Sequence, residues 1–221
     1  MPRQVTPLEA LEDGAATILG RPLTAGESDD FERYLGLLVK WQKAHRLVGS
    51  ADPLWIVEHL FLDSLLFLGL LPPAVRSLAD VGSGAGLPGL PLKIVRRDLE
   101  LTLIESRRRR AMFLTSAIRT IQLPGVRIIE GRVESLAREL GGQFDAVVMR
   151  CAGDVEAMIP VATTLLLPGR GIVVASGPPK PRAISGAAWV TVPGIRRGTT
   201  RRFAVYRRDQ EPPARHPTRS N

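Results

Sequence analysis

Residues 78–89 read LADVGSGAGLPG, and the order of events along that stretch decides the fold. An apolar run beginning at Ser77 ends at Val81 as a short strand. Gly82, Gly84 and Gly86 then permit a tight turn and let a ligand approach the backbone closely. A helix is expected from about Pro88, because a missing N–H costs little in a first turn. The free N–H groups of that turn suit a polar or anionic part of a ligand.

Downstream of the loop, strand-like and helix-like runs alternate. Leu101–Ile104, Val126–Glu130, Phe144–Met149 and Ile172–Ala175 read as strands. Arg108–Ile121, Val133–Leu140 and Val155–Leu167 between them read as helices. That repetition predicts an α/β fold with a mostly parallel sheet covered on both faces. Trp189–Val192 and Phe203–Tyr206 have no long helix between them and are expected to add an antiparallel edge pair, which makes seven strands.

Upstream, residues 6–71 read as helices. Ser28 is expected to cap one that runs to about His45, with Phe31, Tyr34, Leu35, Leu38 and Trp41 at helical spacing. Pro53 opens another that continues to Leu71, and Pro72-Pro73 stops it. The expected organisation is a helical extension over residues 1–73, a core over 74–208, and a polar, proline-rich disordered tail over 209–221.

Composition narrows the function. With 221 residues and 44% hydrophobic content, the chain can bury a proper core. Cys151 is the single cysteine, so neither a disulfide framework nor a cysteine-rich zinc site can form. His45, His59 and His216 form no ligand cluster in sequence, and no metal is expected. The N-terminus lacks the apolar core of a secretion signal, and the longest apolar stretch is broken by Asp63 and Ser64, so a soluble cytoplasmic protein is expected. No self-association seam stands out, which predicts a monomer. The net charge of +8 resides in residues 180–221, which hold ten Lys/Arg and two Asp/Glu. Such a surplus attracts phosphate, although a solvated arginine-rich tail has the same composition.

The spacing within the glycine loop separates two classes of nucleoside ligand. A dinucleotide fingerprint would place its third glycine at position 87, where this chain has Leu87. The spacing here is G-x-G-x-G preceded by Asp80, the form of loop used by methyltransferases that bind S-adenosylmethionine (SAM). Glu105 ends the second strand about twenty residues beyond the loop, where a carboxylate can accept hydrogen bonds from both ribose hydroxyls. The alternative to a SAM-binding loop is a glycine-rich αβ turn with a surface glutamate beside it.

Six stretches carry a family resemblance: YLGLLVKWQKAHRLV, FLDSL at Phe61–Leu65, DVGSGAGLPGLPL, LIESRRRRAMFL, GRVESL and FDAVVMRCA. From about Tyr34 to Gly177 the chain resembles the RsmG (GidB) family, the small-subunit (16S) ribosomal RNA guanine-N7 methyltransferases with a Rossmann-like core. By position, the resemblance implies SAM contacts from Gly82, Gly84, Gly86 and Leu87, ribose contacts from Glu105 and Ser106, and adenine-side contacts from Val133 and Glu134. It implies Arg150 near the reacting methyl group as a substrate-positioning and cofactor-side residue, and Arg109 and Arg110 as contacts to 16S rRNA; Arg132, and Lys180 in compensation for a lysine the family usually carries, are further candidates for RNA contact. The chain departs from the family where Arg46 and Val48 replace the usual asparagine and threonine, where His59 is displaced from Phe61 by Leu60, and where Ser176 stands in place of a lysine before Gly177. These departures spare the SAM side and fall on RNA placement.

The implied chemistry needs little beyond position. Guanine N7 offers a lone pair and carries no proton, so alignment rather than a general base supplies the acceleration. Cytosine carbon methylation would need a thiolate, and Cys151, the sole candidate, reads more simply as a small buried residue. Trp55, Trp189, Tyr206 and Phe203 are the aromatic side chains open to base stacking. Two other functions stay open: a SAM enzyme with another RNA or small-molecule acceptor, and a non-catalytic RNA-binding or ribosome-assembly protein that keeps the fold.

Overall fold

Alternate residues of the central strands go to opposite faces of one sheet, and each face buries its own core. In the computed structural model, which describes residues 5–150, 154–178, 182–196 and 198–208, five strands form the parallel part: β1 (Ser77–Val81), β2 (Glu100–Glu105), β3 (Val126–Glu130), β4 (Ala146–Met149) and β5 (Ile172–Ser176). β6 (Ala187–Pro193) and β7 (Thr200–Arg207) complete a seven-stranded sheet of order β3-β2-β1-β4-β5-β7-β6, with β7 antiparallel to both its neighbours. Leu78, Leu101, Leu103, Val148 and Val174 face one core, whereas Ala79, Val81, Ile104, Val147 and Val173 face the other. The expected mostly parallel α/β sheet is present.

The first core is covered by α1 (Pro7–Leu19), α2 (Ala25–His45), α5 (Gly89–Val95), α6 (Arg108–Ile121) and one continuous helical run from Pro53 to Leu70. The second is covered by α7 (Val133–Leu140) and α8 (Val155–Leu165). The order of strands reverses at β1, so the carboxyl ends of β1, β2 and β4 frame the crevice in which such sheets bind ligands.

The long helix α2 starts one turn before the expected Ser28. Thr24 is its cap: the Thr24 hydroxyl accepts from the Glu27 N–H, and the Glu27 carboxylate accepts from the Thr24 N–H at 2.8 Å. This reciprocal box satisfies two otherwise orphaned donors, and Arg21 clamps the same Glu27 carboxylate at 2.7 and 2.8 Å. Ser28 sits inside the first turn, its hydroxyl turned to Glu12 of α1. The sequence offered both T-x-x-E and a serine, and the box is the stronger signal.

The run from Pro53 is less regular than its sequence implies. It comprises α3 (Pro53–Ile56), a π-helical turn (Val57–Phe61), α4 (Leu62–Leu65) and a 3-10 stretch (Leu66–Leu70). By length and mean hydropathy it could cross a membrane, yet Val57, Phe61, Leu65 and Phe67 are buried in the first core and Asp63 is ion-paired to Arg201 of β7 at 2.9 Å. It is therefore a core helix. Phe203, expected as a stacking surface, is also a core residue: 2% exposed, it meets the Phe67 ring edge-on at 4.8 Å.

The location of the cap is testable. Thr24→Ala is expected to destabilise the protein by about 1 kcal/mol in urea unfolding, and Ser28→Ala by less than about 0.5 kcal/mol. The reverse ranking would return the cap to Ser28.

Candidate active site

The glycine loop leaves β1 with three residues in the left-handed region: Gly82 at φ 71°, Gly84 at φ 59° and Gly86 at φ 88°. Any side chain is strained there. At Gly86 space is also lacking, since a Cβ would lie 2.4 Å from Leu90 Cδ1 and 3.1 Å from the Tyr34 hydroxyl. Two carboxylates hold the loop. Glu105 accepts from the Gly84 N–H at 2.8 Å through one oxygen and from the Arg107 N–H at 2.8 Å through the other. Asp80 accepts from the Gly89 N–H at 2.9 Å. The Leu87–Pro88 peptide between them is cis, and Pro88 caps α5 from outside it, so the helix begins at Gly89.

A third hold comes from the N-terminal helices. The Tyr34 hydroxyl of α2 donates to the Ala85 carbonyl at the tip of the loop. Its fully buried ring stacks on Phe61 at 4.9 Å and 16°. Burial and the nearby Asp80 carboxylate push the Tyr34 hydroxyl well above its ordinary pKa, so it remains a donor. Sequence periodicity found Tyr34 only as a core position. The signal that was missed is a tyrosine where an apolar stripe would accept phenylalanine: a buried hydroxyl requires a partner.

Asp80 is the most constrained titratable group. It has no exposed surface, its Oδ1 has no hydrogen-bond partner among the described residues, and burial pushes its pKa up to about 7, against the pull of the Gly89 N–H. An orphaned carboxylate oxygen beneath a glycine loop is a point where a ligand or water donor would be welcome.

Beside the loop lies a slot of about 140 Å³ between the ends of β1, β2 and β3 and helix α8. Gly82, Ile104, Ser106, Val133, Glu134 and Met158 line it. Ile104 and Val133 are buried apolar walls, while Ser106 and the Glu134 carboxylate are exposed at the rim. Flat apolar walls with polar groups at the edge suit a planar heterocycle. The sequence-derived residues Gly82, Ser106, Val133 and Glu134 thus meet around one slot. Gly84, Gly86, Leu87 and Glu105 belong to the adjoining loop and its support. The Glu105 carboxylate, 3% exposed, faces backbone N–H groups; its remaining lone pairs are what a ribose could use.

Arg150, just beyond β4, turns toward the N-terminal helices. Its guanidinium donates to the His59 and Leu60 carbonyls, the latter at 3.1 Å, and lies 3.5 Å from Ser64 Oγ. A π turn skips one amide–carbonyl pairing, which leaves a carbonyl for a side-chain donor. The Ser64 hydroxyl donates to the same Leu60 carbonyl at 2.6 Å. The FLDSL stretch thereby acquires a physical meaning: Phe61 supports Tyr34, Asp63 pairs with Arg201, and Ser64 shares a carbonyl with Arg150.

Next to Arg150, the His59 ring stacks on Trp55 at 4.8 Å and 12°. His59 Nδ1 lies 3.1 Å from the Trp55 carbonyl. A carbonyl can only accept, so Nδ1 carries the proton and Nε2 accepts from Arg196 at 2.8 Å. Arg196, in the β6–β7 loop, also pairs with Glu58 at 2.9 Å. Of the expected RNA contacts, Arg109 and Arg132 are exposed and Arg110 is half-buried, whereas Lys180 lies outside the described residues, as does Cys151.

Two substitutions test these holds. Tyr34→Phe keeps the stack and removes the donor to Ala85. Urea unfolding should show a loss of about 1–3 kcal/mol, the penalty of an unpartnered buried carbonyl; an unchanged midpoint would mean that the bond does not form. For Asp80, a folded-state pKa near 7 and an ordinary unfolded value mean that the native state binds the extra proton between about pH 4 and 7. Stability should therefore fall as pH rises through that window. Asp80→Asn, which cannot titrate, should flatten the decline measured between those pH values, and an identical pH profile for both proteins would refute the assignment.

With the geometry in place, relatives can be compared. The family model for rRNA small subunit methyltransferase G, GidB, matches residues 27–183. The Ribosomal RNA small subunit methyltransferase G of Sorangium cellulosum is 34% identical over 226 residues, covering 97% of this chain and 93% of that protein. Its namesake from Xanthomonas axonopodis pv. citri is 35% identical over 195 residues, covering 84% and 89%. Among solved structures, a putative caffeoyl-CoA O-methyltransferase from Staphylococcus aureus superposes with a TM-score of 0.54 at 14% identity, covering 78% of this chain and 91% of that one. A SAM dependent methyltransferase from Aquifex aeolicus gives 0.52 at 12% identity, covering 71% and 94%. The structural likenesses establish a shared fold. The match over most of its length establishes the family: this chain belongs to the GidB family of small-subunit ribosomal RNA methyltransferases.

Proposed function

We propose that the protein transfers the methyl group of SAM to N7 of a guanine in 16S ribosomal RNA, acting in the cytoplasm as a monomer on the small subunit or an assembly intermediate. The observation that carries this reading is the conjunction of family membership with a cradle of the right chemistry: a glycine loop in left-handed conformation, a carboxylate beside it and an apolar slot with a polar rim. On this reading, Gly82, Gly84, Gly86 and Leu87 bring backbone close to the cofactor. Glu105 and Ser106 take the ribose, and Val133 and Glu134 take the adenine wall and edge. Residues 1–73 act as an extension that supports this core of residues 74–208, since Tyr34 holds the loop tip.

SAM supplies a methyl group bonded to a cationic sulfur. The guanine N7 lone pair forms the new N–C bond, the S–CH3 electrons remain on sulfur, and the positive charge passes to the base. No proton moves in that step, so the protein's task is to align acceptor and donor. Arg150 serves as the positioning residue. Anchored on the His59 and Leu60 carbonyls, it fixes the wall that faces the carboxyl end of β4. Arg109, Arg110 and Arg132 stand around the mouth for phosphate, and Lys180 is assigned with them by sequence position.

Mass spectrometry of nucleosides from 16S rRNA is the test. Deleting the gene should remove one 7-methylguanosine per molecule, and the wild-type gene should restore it. An unchanged 7-methylguanosine content would remove the guanine-N7 assignment. In that event, SAM binding measured by titration calorimetry would leave a SAM enzyme with another acceptor, and absence of binding would leave an assembly protein.

A further inference from the structure

Two helix ends meet above the carboxyl edge of the sheet. Asp30 of α2 pairs with Arg97, in the loop that enters β2 at the opposite edge. One turn later, Tyr34 reaches the glycine loop. α2 therefore climbs toward the cofactor edge while α6, which follows β2, descends from it. Tyr34 and Trp41 straddle Phe113 of α6, at 6.5 and 5.5 Å. The last turns of α2 and the first turn of α6 consequently lie side by side at the mouth of the site.

Both ends are cationic, and neither is neutralised. α2 carries Lys40, Lys43 and Arg46, all exposed; α6 starts with Arg107, Arg108, Arg109 and Arg110. Several arginines elsewhere in the chain hold carboxylates: Arg21 on Glu27, Arg33 and Arg97 on Asp30, Arg96 on Asp98, Arg196 on Glu58, Arg201 on Asp63. Those seven side chains have no hydrogen-bond or ion-pair partner among the described residues. Local stability does not explain them. Cations in a first helical turn oppose the helix dipole, and α6 has four at or next to its start. Arg46 caps α2 in the left-handed region at φ 46°, where glycine would be unstrained.

The loop that presents Arg46 is built to hold that shape. The Gln42 amide donates to the Val48 carbonyl at 2.7 Å and accepts from the Val48 N–H at 2.8 Å. This closes residues 42–48 like a staple, with Lys43, His45 and Arg46 outside. The exposed His45 ring rests against Trp41 at 5.0 Å, and Trp41 is itself edge-on to Phe113. The surface also reaches the glycine loop, because Arg110 Nη1 lies 3.6 Å from where a Cβ on Gly84 would sit.

We propose that the stapled α2 loop and the start of α6 form one docking track for single-stranded RNA. Lys40, Lys43, Arg46 and Arg107–Arg109 contact its phosphates, and His45 stacks on one base. The proposal rests on the rRNA reading above and names the form in which that RNA is held. A single strand fits the chemistry, since guanine N7 lies in the deep, narrow major groove of an RNA duplex and comes within reach only when the base is splayed out. A ring backed by aromatic packing and flanked by cations is the usual means of holding such strands without regard to sequence.

The test uses the full chain and a short fluorescent single-stranded oligoribonucleotide, with its duplex for comparison. Lys43→Glu with Arg46→Glu, and separately Arg108→Glu with Arg109→Glu, should each weaken single-strand binding by roughly tenfold or more and lower the salt-dependence slope by about 1.4, two phosphate contacts' worth. Arg119→Glu with Arg138→Glu makes the same charge change on exposed residues elsewhere and should stay within about twofold of wild type. His45→Ala should weaken binding without changing the slope. Glutamates in the first turn of α6 suit its dipole, so that variant should fold, and SAM affinity should be unchanged in all of them. Equal losses in the control, no loss at the track, or tighter binding of the duplex would overturn the proposal. The guanine-N7 reading fails separately, by an unchanged 7-methylguanosine content in the deletion strain.

Discussion

A backbone that turns through left-handed conformation three times in five residues, at the end of a buried strand, must find acceptors for its N–H groups and a donor for its exposed carbonyl. The rest of the architecture depends on that constraint. The Glu105 carboxylate takes the Gly84 N–H, Asp80 takes the Gly89 N–H, and the Tyr34 hydroxyl meets the Ala85 carbonyl. Two of these three groups come from strand ends of the core, and the third from a helix that precedes the core by more than thirty residues in sequence. The N-terminal helices therefore act as part of the scaffold of the site. A core without them would leave the loop tip with an unmet carbonyl and the Tyr34–Phe61 stack without its members.

The same logic explains why the run from Pro53 to Leu70 is irregular. A straight α-helix would keep its carbonyls to itself. The π turn at Val57–Phe61 exposes carbonyls on the side facing β4, where Arg150 and Ser64 use them. Asp63 and Glu58 on the same run receive Arg201 and Arg196 from the edge hairpin. Thus the edge pair β6–β7, the end of β4 and the helical layer are fastened at one place, above the carboxyl edge of the sheet. Rigid elements held by several polar ties of this kind keep a reaction geometry more closely than loops do.

Much of the fold was legible because two periodicities and one kind of punctuation decide it. Ser77–Val81, Arg108–Ile121, Val126–Glu130 and Val133–Leu140 could be read to the residue, since each is a clean apolar pattern bounded by glycine, proline or a charged cluster. The antiparallel pair was legible from its missing helix. Events that depend on contacts through space were not. Ser28 looked like a cap until Glu27 chose Thr24; Phe203 looked available for stacking until β7 turned it onto Phe67. Nothing local marks a π turn in VEHLF. At the site, the slot residues Val133 and Glu134 came from motif position alone, whereas the loop support Tyr34 needed the packing of α2 against the core to give its hydroxyl a partner.

The placement of charge completes the argument. In methyl transfer to a neutral ring nitrogen the positive charge only relocates, from sulfur to base, so the reacting centre needs no counter-ion and gains nothing from a loose cation nearby. Three arginines at the carboxyl edge of the sheet are already engaged: Arg150 on two helix carbonyls, Arg196 on Glu58 and His59, Arg201 on Asp63. Among the unengaged ones are Arg46, at the end of α2, and Arg107–Arg110, at the start of α6, the last with its guanidinium beside Gly84. A charged group fixed by structure shapes the wall of the site, and one left without a partner attracts a polyanion from solution.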